Sequence, residues 1–415
     1  MRSSTSKRTH INNLRSFNSN LGILKKGQSI PLFQRFLPIP WELWPSEARL
    51  LLALIAFWSI SGLFVLGSAS WWVASKEMGD GAYFLKRQII WLCTSWVVAW
   101  LAISISLRKW LKLSRYLLPI CLALVAATLF FGTTINGSSR WLILGAFRLQ
   151  PSELVKPFVI LQAANLFAQW ERINNNYKLF NIGIFSILIL LIIKQPNLST
   201  AGLIGILLWM MALGSGLKFK YLFTAAFSGF SIGSLSILNN QYQMLRVKSF
   251  LDPWQDAQHT GYQLTQSLMA IGSGGFFGEG YGLSTQKLLY LPFLSTDFIF
   301  SVFAEEFGFV GSLMLILFLI LFAFLALKVS LSCRNNYSKL IAIGCCTLLI
   351  GQSIMHLSVA SGVMPTTGLP LPIISYGGNS LLSSLFIGGL LIRCALESTG
   401  LVGGVKIKKK FSKYC

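Results

Sequence analysis

From residue 340 to residue 392 the chain carries no Asp, Glu, Lys or Arg. Such a run is long enough to cross a bilayer twice, since a hydrocarbon core of about 30 Å needs about 20 apolar residues in a helix. Pro365, Pro370, Pro372, Gly377 and Gly378 interrupt it, so it reads as two helices around an irregular loop. Six further uncharged windows of spanning length lie at 50–75, 88–107, 116–132, 195–217, 221–238 and 307–327. Two shorter runs, 157–170 and 179–193, become long enough if the first extends back through Glu153 and Lys156. The expected fold is an all-α polytopic membrane protein of about ten transmembrane helices.

Composition agrees. Only 12% of the 415 residues are charged and 54% are hydrophobic, with a mean hydropathy of +0.63, whereas a soluble domain is about 25% charged. That excludes a cytosolic enzyme, a disordered chain and a DNA-binding protein. The seven cysteines are odd in number, lie in apolar or basic surroundings without metal-ligand spacing, and read as packing residues. The first apolar stretch begins only near Leu50, behind a basic tail, so a cleaved leader is not expected.

The net charge of +22 is distributed by topology. Cations crowd residues 1–49, then Arg108, Lys109, Lys112 and Arg115, then Lys218 and Lys220, then Lys328, Arg334 and Lys339, and finally residues 406–413. Every second loop is basic, so both termini are expected in the cytoplasm. The charge then reflects topology and attraction to anionic lipids, with no nucleic acid as partner. The opposite face receives one long extracytoplasmic loop, about 239–296, and two shorter ones, 133–150 and 364–378. Most of the unusual residues lie there, at one surface and not at the bilayer midplane where a carrier would hold them.

Four clusters carry the candidate chemistry. The first contains Arg140 and Arg148, followed by Pro151, Glu153 and Lys156. Pro151 suits a first helical turn, and Glu153 and Lys156 share a face at i, i+3. The group is either an ion pair tying a loop to the bundle or a phosphate site, which arginine forks and lysine suit. The second is the long loop, with Arg246, Lys248 and Gln266 and a glycine-rich run, 272–282, that allows turns and close approach to a ligand; residues 262–271 read as a short amphipathic or re-entrant helix. The third places Asp297 where the loop re-enters the bilayer, a partly desolvated position that raises a carboxylate toward a useful base. By itself, Thr296-Asp297 serves equally as a helix cap. Glu305 falls about 80° around the helix from Asp297 and about 12 Å deeper, and Glu306 points away, so both read as buried structural acids. The fourth, 362–380, is irregular and hydroxyl-rich, with Ser375 and Tyr376; such backbone survives at membrane depth only when buried in protein or lining a wet cavity. His356 upstream reads as a hydrogen-bonded interior residue, and no metal site is expected.

In this order, over roughly residues 48–398, the clusters resemble the SEDS family, the FtsW/RodA polytopic peptidoglycan polymerases. The matching segments are 136–156, Gln195-Pro-Asn-Leu-Ser-Thr200, 246–254, 261–282, 290–306 and 365–380. The run 282–292 is more similar to the division branch than to the elongation branch. Two departures stand out: Phe293-Leu294-Ser295 replaces the Glu-Ala/Pro-His common before Thr-Asp, and Asn197 replaces the usual Asp.

The resemblance implies polymerisation of lipid II outside the membrane, with Asp297 as base and Arg140, Arg148, Lys156 and Arg246 on the diphosphate. Glu153, Lys248, Gln266, Ser375 and Tyr376 complete the implied substrate contacts. It also implies a class B penicillin-binding transpeptidase and other division-complex membrane proteins as partners, a place in the cytoplasmic membrane at the septum, and room for a divalent cation, Mg or Mn, on the diphosphate. The chain then divides into a basic cytoplasmic tail (1–48), a ten-helix membrane domain (49–400) and a second basic tail (401–415). A lipid II transporter and a non-enzymatic division scaffold are the rival readings.

Overall fold

The computed structural model of the protein describes residues 41, 44–135, 138–145, 147–288 and 292–398. Most of the expected tail 1–48, the tail 401–415, and Asn136 and Tyr290 of the motif segments lie outside the described residues. In the unit that ends at Trp44, the rings of Trp41 and Trp44 are tilted with centroids 5.1 Å apart. All that follows concerns the second unit, from Pro45 onward.

Its elements are helices α1 (Ser46–Met78), α2 (Tyr83–Ser104) and α3 (Leu107–Phe131), strands β1 (Thr133–Ile135), β2 (Ser138–Leu144) and β3 (Phe147–Leu149), and helices α4 (Pro151–Leu154), α5 (Lys156–Phe167), α6 (Asn175–Lys194), α7 (Leu198–Gly214), α8 (Phe219–Asn239), α9 (Gln241–Leu251), α10 (Tyr262–Ser273), α11 (Ile299–Ser332), α12 (Asn336–Ala360) and α13 (Gly378–Ser398). Among the described residues, α1, α2, α3, α6, α8, α11, α12 and α13 are long and apolar enough to cross a membrane. Helix α7 has 17 residues and α5 has 12, the latter preceded by α4 across Val155.

The helices overrun the uncharged windows at their ends. Helix α3 takes Arg108, Lys109, Lys112 and Arg115 into its first turns, where long cationic side chains reach out of the apolar layer. Helix α11 starts at Ile299, not near 307, because Glu305 and Glu306 are buried and partnered. The segment expected as a loop at 133–150 is instead a three-stranded antiparallel sheet, β1-β2-β3, with Leu142 opposite Leu149 and Ile143 opposite Arg148. The long segment between α8 and α11 contains α9 and α10.

Helix α13 is the centre of the bundle: 94% of its apolar window is buried, and it packs on α2, α12, α1 and α11. At its C-terminal end, buried Arg393 donates to the Ile103 carbonyl (3.0 Å) and to Glu397 (2.9 Å), and Glu397 accepts from the Leu107 N–H (3.0 Å). One ion pair thus satisfies orphan groups at the end of α2 and the start of α3. Helix α8 is the opposite case, with Leu222 its one buried residue.

Helix α11 breaks at Gly308 (φ 64°, ψ −162°). The groups freed by the break are paired by the glycine-rich segment after α10: the N–H groups of Glu279 and Gly280 donate to the carbonyls of Glu305 and Glu306 (3.0 and 3.1 Å), and those of Phe309 and Val310 donate to Gly275 and Phe276 (3.0 and 3.1 Å). The glycines expected to approach a ligand approach this helix instead. At Gly278 (φ +84°) a Cβ would lie 2.2 Å from the Glu306 carbonyl oxygen. Gly278→Ala therefore combines a strained backbone with a clash against main chain and is expected to lower stability by about 1–3 kcal/mol, read as a depressed thermal midpoint in detergent. Gly229→Ala on α8, where an added methyl meets nothing within 4 Å, should change it by less than about 0.5 kcal/mol.

Candidate active site

Asp297 sits in the turn before α11. Its N–H and that of Thr296 both donate to the Phe293 carbonyl (3.0 Å each). Phe298 occupies the N-cap of α11 and no side chain caps the helix, so the Asp297 carboxylate is not spent on capping. The turn is tied down from the irregular segment before α13: the Ser375 hydroxyl donates to the Thr296 carbonyl (2.6 Å) and the Tyr376 N–H to the Ser295 carbonyl (2.8 Å). Gln88 of α2 secures that segment in turn, donating to the Ser375 carbonyl (3.2 Å) and accepting from the Gly377 N–H (3.4 Å).

Two guanidinium groups act on Asp297. Arg246 on α9 lies over the Tyr242 ring at 4.5 Å, donates to the Tyr242 hydroxyl, and donates to the Thr366 carbonyl (3.0 Å). Asn240 caps α9 by accepting from the Tyr242 N–H (3.0 Å), and the i, i+4 spacing then stacks Arg246 on Tyr242. Arg140 on β2 donates to the carbonyls of Gln195 and Pro196, the residues leading into α7. Burial raises the Asp297 carboxyl above its ordinary value, while the charges of Arg246 and Arg140 and a Thr296 hydrogen bond pull it down. Arg140 is lowered by burial and by Arg246; as guanidinium it stays charged.

The segment 366–370 has no helix to pair its carbonyls, and four side chains from three helices do so. Arg246 takes Thr366, Ser199 of α7 takes Thr367 (3.3 Å), His356 Nδ1 takes Leu369 (2.8 Å) and Gln352 takes Pro370 (2.8 Å). Between them Gly368 (φ +70°) faces the acid: a Cβ there would stand 3.4 Å from Asp297 Oδ2. Gln88 and Gln352 lie outside every matching segment, and Ser199 and Gly368 lie inside two of them, 195–200 and 365–380, with no role assigned to either. The available signal was the proline-rich run itself, whose unpaired carbonyls demand donors from elsewhere.

The other expected site residues divide. Lys156 is buried inside the bundle and donates to Glu153 (2.7 Å) and to Gln352 (2.9 Å), the ion-pair geometry and not an open phosphate cradle. Arg148 on β3 is exposed, and its carbonyl accepts from Asn379 (2.9 Å). Lys248 is exposed and Gln266 half-buried. The hydroxyl of Ser375 is consumed in holding the Asp297 turn, donating to Thr296 and accepting from the Leu371 N–H (2.8 Å). The ring of Tyr376 meets Phe84 edge-on at 5.1 Å, and burial raises its hydroxyl. Glu305 accepts from Ser284, Thr285 and the Gln286 N–H, and Glu306 from Lys287 (2.9 Å) and Ser68; both pin the segment after α10 to α11. No group of three His, Cys, Asp or Glu able to hold a metal occurs among the described residues.

Removing one member of a buried pair strands the other. Lys156→Met is expected to cost about 3–5 kcal/mol, while Glu153→Leu/Lys156→Met should return to within about 1 kcal/mol of the parent, checked by thermal unfolding of both variants in detergent.

Comparison with known proteins agrees with this architecture. The profile of the FtsW/RodA/SpoVE family, described as cell cycle protein, matches residues 48–400. A Synechocystis protein named probable peptidoglycan glycosyltransferase FtsW is 46% identical over 356 residues, covering 86% of this chain and 91% of that protein. An Aliivibrio salmonicida protein of the same name is 37% identical, covering 80% and 85%. Among solved structures, a chain from a peptidoglycan synthase complex, reported for its coordination of polymerization and crosslinking, superposes with a TM-score of 0.69 at 29% identity, covering 87% of this chain and 99% of that one. The rod shape determining protein RodA of Thermus thermophilus superposes with a TM-score of 0.63 at 27% identity, covering 86% and 98%. With the profile matched over nearly the whole membrane domain, the chain belongs to the FtsW/RodA/SpoVE family.

Proposed function

We propose that this protein is a peptidoglycan glycosyltransferase that polymerises lipid II at the outer face of the cytoplasmic membrane, with Asp297 as general base. The C4 hydroxyl of an acceptor N-acetylglucosamine attacks the anomeric carbon of a donor N-acetylmuramic acid. The new C–O bond forms as the bond to undecaprenyl diphosphate breaks; the hydroxyl proton passes to the Asp297 carboxylate, and the electron pair leaves on the diphosphate. The observation that carries this reading is a half-buried carboxyl, free of any capping duty, facing Gly368 and within the electrostatic reach of two guanidinium groups. Arg246 and Arg140 are aimed to stabilise charge developing on the diphosphate, with exposed Arg148 and Lys248 drawing the anion in. Both termini are cytoplasmic in this reading, and basic tails flank a ten-helix domain. A class B penicillin-binding transpeptidase is the partner that cross-links the strands, and septal wall synthesis is the setting.

Asp297→Asn should lower lipid II polymerisation by about 10²–10⁴-fold, measured with purified protein and its transpeptidase partner. Full polymerising activity in that variant overturns the proposal; lost transbilayer movement of lipid II with polymerisation intact favours a transporter. Activity requires the carboxylate, so it falls as pH drops through the Asp297 pKa. Arg246→Gln removes a charge that holds this pKa down, so the acid limb of the residual pH–rate profile should move to higher pH.

A further inference from the structure

We propose that the buried pair Glu153–Lys156, acting through Gln352 and together with His356, is a positioning anchor that holds Gly368 against the Asp297 carboxyl. The inference rests on the reading of Asp297 as base. None of the four anchor side chains is open to a substrate: relative exposure is 2% for Glu153, 1% for Lys156, 4% for Gln352 and 1% for His356.

The direction of the chain of bonds is fixed by chemistry. An ammonium group only donates, so Lys156 Nζ, placed by Glu153 Oε1, turns the amide oxygen of Gln352 toward itself (2.9 Å). The amide nitrogen then has to face the other way, and there it donates to the Pro370 carbonyl (2.8 Å). The amide is nearly symmetric in shape, so without a donor on one side it could turn over and present its oxygen to a carbonyl. Lys156 removes that freedom. One turn along the same face of α12, at i+4, His356 Nδ1 meets the next carbonyl back, Leu369 (2.8 Å), which makes this ring nitrogen the protonated one. Two consecutive carbonyls are therefore gripped from one rigid helix. The residue before them is Gly368, which faces the acid so closely that a Cβ added to it would stand 3.4 Å from Asp297 Oδ2. The grip continues past the acid, because Ser375 and Tyr376 of the same segment hold the carbonyls of Thr296 and Ser295.

A base displaced by about 1 Å can lose about 10²-fold in rate, while sites that bind the diphosphate are untouched. The test uses full-length protein with its transpeptidase partner and lipid II, comparing Glu153→Leu/Lys156→Met, Gln352→Met and His356→Leu with Asp297→Asn. Hydrogen exchange of the Leu371, Ser375 and Tyr376 amides is followed in parallel. The expected result is a fall in kcat of about 10²-fold for Gln352→Met and a smaller fall for the other two, with KM for lipid II within twofold and faster exchange at those amides. If KM rises tenfold or more in the Glu153/Lys156 double variant with kcat preserved, the pair binds substrate and the inference is overturned. Unchanged exchange in all three anchor variants also overturns it, as does faster exchange with unchanged kcat. Should the double variant not fold, Gln352→Met carries the same outcomes. Failure of the underlying reading looks different: Asp297→Asn then keeps its rate, whatever the anchor variants do.

Discussion

Backbone carbonyls that belong to no helix must find donors, and within a membrane bundle water cannot supply them freely. The stretch 366–376 meets that demand with side chains drawn from α2, α7, α9 and α12. Because the donors come from four different helices, with two of them on α12, the segment fixes those helices relative to one another as much as they fix it. The turn that bears Asp297 is attached to this hub through two short hydrogen bonds to its carbonyls, one from the Ser375 hydroxyl and one from the Tyr376 N–H, and so inherits its rigidity.

The same demand is met differently at Gly308. There a long helix is broken, and the freed groups are paired by the main chain of 275–280 in place of side chains. The two neighbouring acids, Glu305 and Glu306, fasten the continuation of that segment through Ser284, Thr285 and Lys287. Backbone-to-backbone pairing at this spacing tolerates no side chain at Gly278 or Gly308, whereas the carbonyls of 366–370 can be gripped by residues of many shapes. The first solution specifies glycine; the second leaves little local trace.

That contrast explains what could be read from the residues alone. Helical spans announce themselves through the absence of charge, and the interruption at 365–378 through proline and glycine, so most of the bundle and the irregular hub were legible. So was the position of Asp297 just ahead of α11, and the buried state of Glu305 and Glu306. The strands β1–β3 were not, because β1 and β3 have three residues each, too few for alternation to register, and the seven residues of β2 read Ser-Ser-Arg-Trp-Leu-Ile-Leu, without apolar–polar alternation. Lys156 was ambiguous for another reason: its second partner, Gln352, lies 196 positions away, and a buried ion pair has the same local spacing as an open anion site. The glycine-rich run was legible as a place of close approach, but not which surface it approaches.

The sparse packing of α8 bears on the site it leads to. Leu222 is its one buried side chain, and the Trp209 indole of α7 donates to the Leu222 carbonyl (3.0 Å); the other side chains of α8 are not buried by the described protein. Asn240, which caps α9, follows directly on α8, so the helix that bears Arg246 is joined in sequence to the one with the fewest buried side chains. Tilt in such a helix is governed by hydrophobic thickness. A thinner or thicker bilayer therefore bears on α8 before it reaches the central α13, while the bond to the Thr366 carbonyl keeps the Arg246 guanidinium with the hub.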